Sequence, residues 1–146
     1  MVIEGHTFYE VVSATLASGG RARNVVAESF ELNLNYRFAP GKSLAQAQQD
    51  VTDFVAGRAR VTFTDLSPSG RLCGANPHFQ RLETLSGVPA EAKQAWTDVA
   101  RFSELGVDAV NYGPGETAQA HQRGESASVA ALQRAFDVLR ALLQGA

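Results

Sequence analysis

The sequence has a single cysteine, Cys73, in 146 residues, so the chain can form neither a disulfide of its own nor a thiolate zinc cluster. It has no apolar run near the roughly 20 residues a membrane span needs, which points away from a transmembrane helix. A basic surplus is missing too: 13 Lys and Arg stand against 15 Asp and Glu, for a net charge of −2. Nucleic-acid binding, which wants a basic face, is not expected. The first ten residues, "MVIEGHTFYE", carry acidic side chains and no apolar signal-peptide core, so the expected location is cytoplasmic. What the chain does have is 45% apolar residues, enough for a globular core.

The pattern of those residues predicts alternating element types. "TFYEVVSATLASGG" (7–20) is β-rich and ends in two glycines. In "NVVAESFELNLNYRFAP" (24–40), Phe30, Leu32, Leu34, Tyr36 and Phe38 alternate with Glu31, Asn33, Asn35 and Arg37. Period-two alternation predicts a half-buried strand, and "SGGRAR" predicts an antiparallel hairpin joining the two. "SLAQAQQDVTDFVAG" (43–57) predicts a helix with Ser43 as N-cap and Gly57 just past its end. "RVTFTDLS" (60–67) reads as a third strand, giving β-β-α-β over 1–67. The turn-rich "SPSGRLCGANP" marks a boundary. Over 68–146 the pattern predicts helices at about 77–86, 96–106 and 126–144, with short strands at 90–94 and 107–113. Ser126 or Ser128 is the candidate cap of the last helix. The expected class is α/β: an α+β unit with an antiparallel sheet, followed by an α/β unit. Each half offers few strands, so both sheets are expected to lack neighbours.

"GPGETAQAH" (113–121) holds the residue type richest in chemistry. A Gly-Pro-Gly turn leads into a polar loop that ends at His121, just before a periodic helix. Taken alone, His121 is either an exposed residue ahead of a helix or a metal ligand, since neutral imidazole is a good zinc donor.

"GGRARNVVAESFELNLNYRFAP" and "WTDVARFSELGVDAVNYGPGETAQAHQRGESASVAAL" resemble the family of zinc deacylases and carboxypeptidases, with wording nearest its bacterial desuccinylase branch. The resemblance runs from about Phe8 to Leu143. It implies a catalytic domain holding two zinc ions, a lid domain that mediates homodimerisation, and a small acyl-amino acid as substrate. It also implies amide hydrolysis by a zinc-activated water with a glutamate as base. On this resemblance His121 is the C-terminal metal ligand, and Arg37 binds a substrate carboxylate. Asn24 lies near the substrate, and Thr97 contacts the acyl-amino acid. Gly113 and Thr117 line the pocket, where some relatives carry asparagine in place of Thr117. The segment 1–67 corresponds to part of the lid and 68–146 to the end of the catalytic domain.

Physical alternatives stand beside these roles. Arg37 is also a polar-face strand residue, Asn24 a turn residue after glycines, and Thr97 a helix N-terminal residue. The rest of the family's chemistry is absent: the sequence has no His-x-Asp ligand motif and no adjacent glutamates. One histidine does not hold a zinc ion, so the chain alone is expected to be inactive and to bind zinc weakly. The competing expectations are a related deacylase such as acetylornithine deacetylase or an aminoacylase, a non-catalytic dimerising protein, and an enzyme completed by a separate polypeptide.

Overall fold

The structure, a computed structural model, describes residues 1–145. It opens with a miniature antiparallel hairpin of β1 (Val2–Ile3) and β2 (His6–Thr7), turned by Glu4 and Gly5, both at positive φ. The main hairpin follows, β3 (Val11–Gly19) against β4 (Phe30–Arg37), also antiparallel. Then come the helices α1 (Leu44–Val55), α2 (Pro77–Ser86), α3 (Val99–Glu104) and α4 (Val129–Gln144), with a 3-10 turn at Thr117–Gln119.

The main hairpin owes its two-faced character to one extra residue. Val12, Ala14 and Ala17 lie opposite Tyr36, Leu34 and Leu32, forming the apolar face, whereas Ser13 and Ser18 lie opposite Asn35 and Glu31. The register slips between Ala14 and Leu16, so Thr15 is a β-bulge. Without it Leu16 would oppose Leu32 on the apolar face. With it Leu16 opposes Asn33 and is 72% exposed, while small Ala17 takes its place. Asn33 closes the bulge, its Nδ2 donating to Thr15 Oγ1 at 2.6 Å. Gly19 is a steric necessity: a Cβ there would lie 2.8 Å from the Ser29 carbonyl oxygen and 2.9 Å from the Phe30 ring.

Helix boundaries follow the local chemistry. Ser43 and Gln46 form a reciprocal capping box on α1, and the helix ends in left-handed Ala56, with Gly57 also left-handed. Asn76 caps α2 with Pro77 in its first turn, and Ser128 caps α4 by accepting from Ala131 N–H at 3.0 Å. α2 and α4 pack on each other.

Three expected strands do not form. Residues 60–67, 90–94 and 107–113 are outside any ladder, so the segment 1–67 is not β-β-α-β as the alternation predicted. The reason is physical: a strand is stable only with a neighbour to accept its backbone hydrogen bonds, and no described segment pairs its main chain in a ladder with these three. The C-terminal half is therefore helices joined by extended chain, and the α/β character rests on helices plus the antiparallel hairpins.

The core is thin. Among the described residues the buried apolar ones are Phe8, Ala39, Ala47, Leu82, Ala100 and Ala135, four of them alanines, and no large side chain is fully enclosed. The stripe Val129, Leu132, Phe136, Leu139 and Leu143 that predicted α4 faces solvent instead, while Ala135 is the helix's buried residue. No described helix is long and apolar enough to cross a membrane.

Candidate functional site

Polar bonds substitute for packing at the base of the main hairpin. Lys42 Nζ donates to Glu10 Oε2 (2.9 Å), Tyr36 Oη (2.8 Å) and Asp50 Oδ2 (2.5 Å), tying β4 and the residue before β3 to α1. Ala39 N–H donates to the other Glu10 oxygen at 3.1 Å. Burial alone would raise the Glu10 carboxyl, but the bonds from Lys42, Ala39 and Tyr36 together hold it below its ordinary value. The Asp50 bond, followed by that to Tyr36, pushes the Lys42 ammonium well up despite its desolvation. Glu10 and Lys42 are 32 residues apart, so the sequence showed no sign of this cluster.

The second half is organised around residues 106–111. Arg71 Nη2 donates to the Gly106 carbonyl (3.3 Å) and to Asp108 Oδ1 (2.6 Å), and Asn76 Nδ2 donates to Asp108 Oδ2 (2.9 Å). The Asn76 and then the Arg71 bond lower the Asp108 carboxyl. Burial, with the Asp108 charge next, raises the nearby Cys73 thiol, so this cysteine is a poor thiolate. Arg71 N–H also donates to Ser103 Oγ at 2.9 Å, fixing the segment to α3. Asn111 Nδ2 donates to Thr97 Oγ1 at 3.0 Å. One of the expected substrate contacts, Thr97, is thereby joined to the chain that leads into the loop of two others, Gly113 and Thr117, and of the expected metal ligand His121.

That loop is a run of turns with two side-chain staples. Gln119 N–H donates to the Glu116 carbonyl (2.9 Å), Gln122 N–H to Gln119 (3.1 Å) and Glu125 N–H to Gln122 (3.0 Å). Gln119 Oε1 accepts from both the N–H (3.2 Å) and the hydroxyl (3.1 Å) of Ser126. His121 N–H donates to Glu125 Oε2 at 3.0 Å. His121 itself is left-handed, with φ at 64°, and its imidazole is exposed and free of hydrogen bonds among the described residues. Beside the loop, an open depression of about 470 Å³ lies against the start of α4, lined by Pro114, Glu116, Gln119, Ser126 and Arg134 among others. His121 is not part of that lining.

The other expected contacts lie apart from one another. Arg37 closes β4 opposite Val11, whereas Asn24 sits in the turn at the hairpin's far end. Eight strand residues at about 3.4 Å each separate them by more than about 20 Å, so they do not meet one small ligand within this chain. Both are exposed.

A family profile described as the peptidase dimerisation domain matches residues 5–62, a span that holds β2, the main hairpin of β3 and β4, and α1. A Mycobacterium tuberculosis protein provisionally named succinyl-diaminopimelate desuccinylase DapE is 41% identical across 98% of this chain, covering 41% of its own length. A Corynebacterium glutamicum succinyl-diaminopimelate desuccinylase is 31% identical across 97% of the chain and 40% of its own. The chain belongs to this peptidase and deacylase family. A Myxococcus xanthus acetylornithine deacetylase is also similar, 30% identical across 90% of the chain and 37% of its own length. The chain spans about two fifths of the length of the curated relatives it matches.

Members of the family are hydrolases, metal-dependent and generally zinc-using. The described residues do not by themselves fit such a metal: no three of His, Cys, Asp and Glu come together to hold one. His121 is one donor of the right kind, where a zinc site takes three or four protein ligands.

Proposed function

We propose that the chain is the lid and C-terminal portion of a zinc-dependent hydrolase of linear amides, which cleaves N-succinyl-LL-2,6-diaminopimelate to succinate and diaminopimelate. The observation that carries this reading is the 41% identity over 98% of the chain to the M. tuberculosis desuccinylase relative. In this assignment residues 1–67 form part of the dimerising lid and 68–146 the end of the catalytic domain. His121 gives one metal ligand, while Thr97, Gly113 and Thr117 line the substrate pocket. Arg37 and Asn24 offer a carboxylate fork and an amide from the lid. Their wide separation on the hairpin means that each serves a different part of the site or a different copy of it. The enzyme works in the cytoplasm as a homodimer, and the chain by itself is inert because it lacks the other ligands and the base.

A second reading, a deacetylase of acetylated amino acids, draws on the M. xanthus relative. A third, a non-catalytic dimerising protein, draws on the unpaired outer edges of β3 and β4, which are open to another strand among the described residues.

One experiment separates them. The chain is assayed with zinc, alone and joined to the amino-terminal three fifths of the C. glutamicum relative, on N-succinyl-diaminopimelate and on N-acetylornithine. Succinate release by the joined protein only, with little turnover of the acetylated substrate, is the expected result. Preference for N-acetylornithine would move the assignment to the deacetylase. Inertness of both forms, with a stable zinc-free dimer of the chain, would leave the binding role.

A further inference from the structure

We propose that Glu125 is a positioning residue, whose carboxylate holds His121 in its left-handed backbone conformation and so sets the direction in which the imidazole leaves the loop. The inference rests on reading His121 as a functional residue, and it adds a residue that reading does not contain.

Three observations carry it. First, φ of 64° at His121 lies in the left-handed region, which is costly for a residue with a Cβ and uncommon outside glycine. In the turns preceding it, Gly113 and Gly115 were available to take up any tight bend, yet the left-handed conformation falls on the histidine. Strain at a chemically active side chain is where backbone geometry is put to use.

Second, a specific contact opposes the strain. The His121 N–H donates to Glu125 Oε2 at 3.0 Å, a bond to a charged acceptor and so stronger than a neutral one. Glu125 is itself anchored, since its own N–H donates to the Gln122 carbonyl at 3.0 Å and the next residue, Ser126, is clamped by Gln119. The carboxylate therefore comes from a fixed point, four residues along and just ahead of the α4 cap.

Third, the imidazole makes no hydrogen bond among the described residues. The backbone therefore sets the direction of the Cα–Cβ bond from which the ring's rotamers depart. A rotation at His121 φ to an ordinary negative value would swing the ring to another side of the loop. The spacing His-x-x-x-Glu then has a physical meaning, in which the glutamate serves the histidine's main chain while the ring stays open for a ligand.

The test uses the chain as it is, with isotope labelling and NMR. Amide exchange and the φ-dependent HN–Hα coupling of His121 are read in the parent, in Glu125→Ala and in Glu125→Gln, with His6 and His78 as internal controls. The parent should show a protected His121 amide and a left-handed coupling. Glu125→Ala should speed His121 exchange by about tenfold or more and average the coupling, leaving the two control histidines unchanged. Glu125→Gln keeps an acceptor oxygen at the same reach and should restore protection to within about threefold of the parent. An unprotected His121 amide in the parent, an unchanged one in Glu125→Ala, or a Gln variant as fast as the Ala variant would each overturn the proposal. The reading of His121 as a metal donor fails separately. If His121→Ala leaves the zinc content of the joined enzyme unchanged while the NMR results stand, Glu125 still positions the loop and the metal assignment falls.

Discussion

Replacing Lys42 with methionine removes the ammonium at the hairpin base while keeping most of the aliphatic stem. The parent side chain is 19% exposed and the Glu10 carboxylate 30%, with 2.9 Å between their charged atoms. Two unit charges at that distance attract by about 1.4 kcal/mol in bulk water and about 6 kcal/mol at an effective dielectric of 20. Desolvation and the freezing of two long side chains cancel most of this, and partial exposure screens more. The pair then contributes about 0.2–1 kcal/mol, and the Tyr36 bond adds about 1 kcal/mol. Asp50 is open to water and is left out of the sum. The expected loss is about 1–2 kcal/mol, or a fall of about 3–8 °C in Tm for a chain of this length.

The pH dependence follows from the directions of the shifts. Lys42 is raised, so its contribution is complete below the unfolded value near 10.4 and is lost as pH rises through the folded one. Glu10 is lowered, so its contribution is present above the unfolded value near 4.3 and is lost as pH falls through the folded one. The gap between parent and variant should be widest between about pH 5 and 10 and should narrow below about pH 4. Thermal and urea unfolding followed by circular dichroism at pH 7, 5 and 3 measures it. A variant as stable as the parent at pH 7, or a gap that persists undiminished at pH 3, would show that the Lys42–Glu10 pair does not stabilise the hairpin base.

Gly19→Ala puts a methyl 2.8 Å from a backbone oxygen and should cost about 1–3 kcal/mol, read as a lower urea midpoint. Leu82→Ala empties the buried position of α2, a helix that packs on α4, and should cost about 2–3 kcal/mol, a large share of the stability of a chain with so small a core. Because Leu16, Phe30, Val129, Leu132 and Leu143 all face solvent, the isolated chain should self-associate. A single monomeric species across a hundredfold concentration range in sedimentation velocity would contradict that.

Where local chemistry decides, the sequence was a good guide. Alternation found β4, Ser43 capped α1 as expected, Ser128 rather than Ser126 proved to be the cap of α4, and Pro77 began its helix. The Thr15 bulge was invisible, because it changes which side of the sheet Leu16 occupies without disturbing the apolar count. The strands expected at 60–67 and 107–113 failed for a different reason: periodicity reports a residue's preference for a half-buried ladder, and a ladder also needs a neighbour. The α4 stripe shows the same limit, since its apolar residues predicted a helix correctly but faced no described partner. In the site, the resemblance marked His121 and its loop. The residues that arrange them, Glu125 and Asn111, act through hydrogen bonds to a main chain and to a hydroxyl, contacts that no residue pattern reveals.

The most direct test of the functional account is zinc content and N-succinyl-diaminopimelate hydrolysis in the joined protein, with and without His121→Ala. If His121 is a metal ligand, the variant loses bound zinc and turnover while its state of association is unchanged, because the segment that matches the peptidase dimerisation domain, residues 5–62, is far along the chain from the substitution. Full zinc occupancy and unchanged hydrolysis in His121→Ala would show that His121 is not a metal ligand.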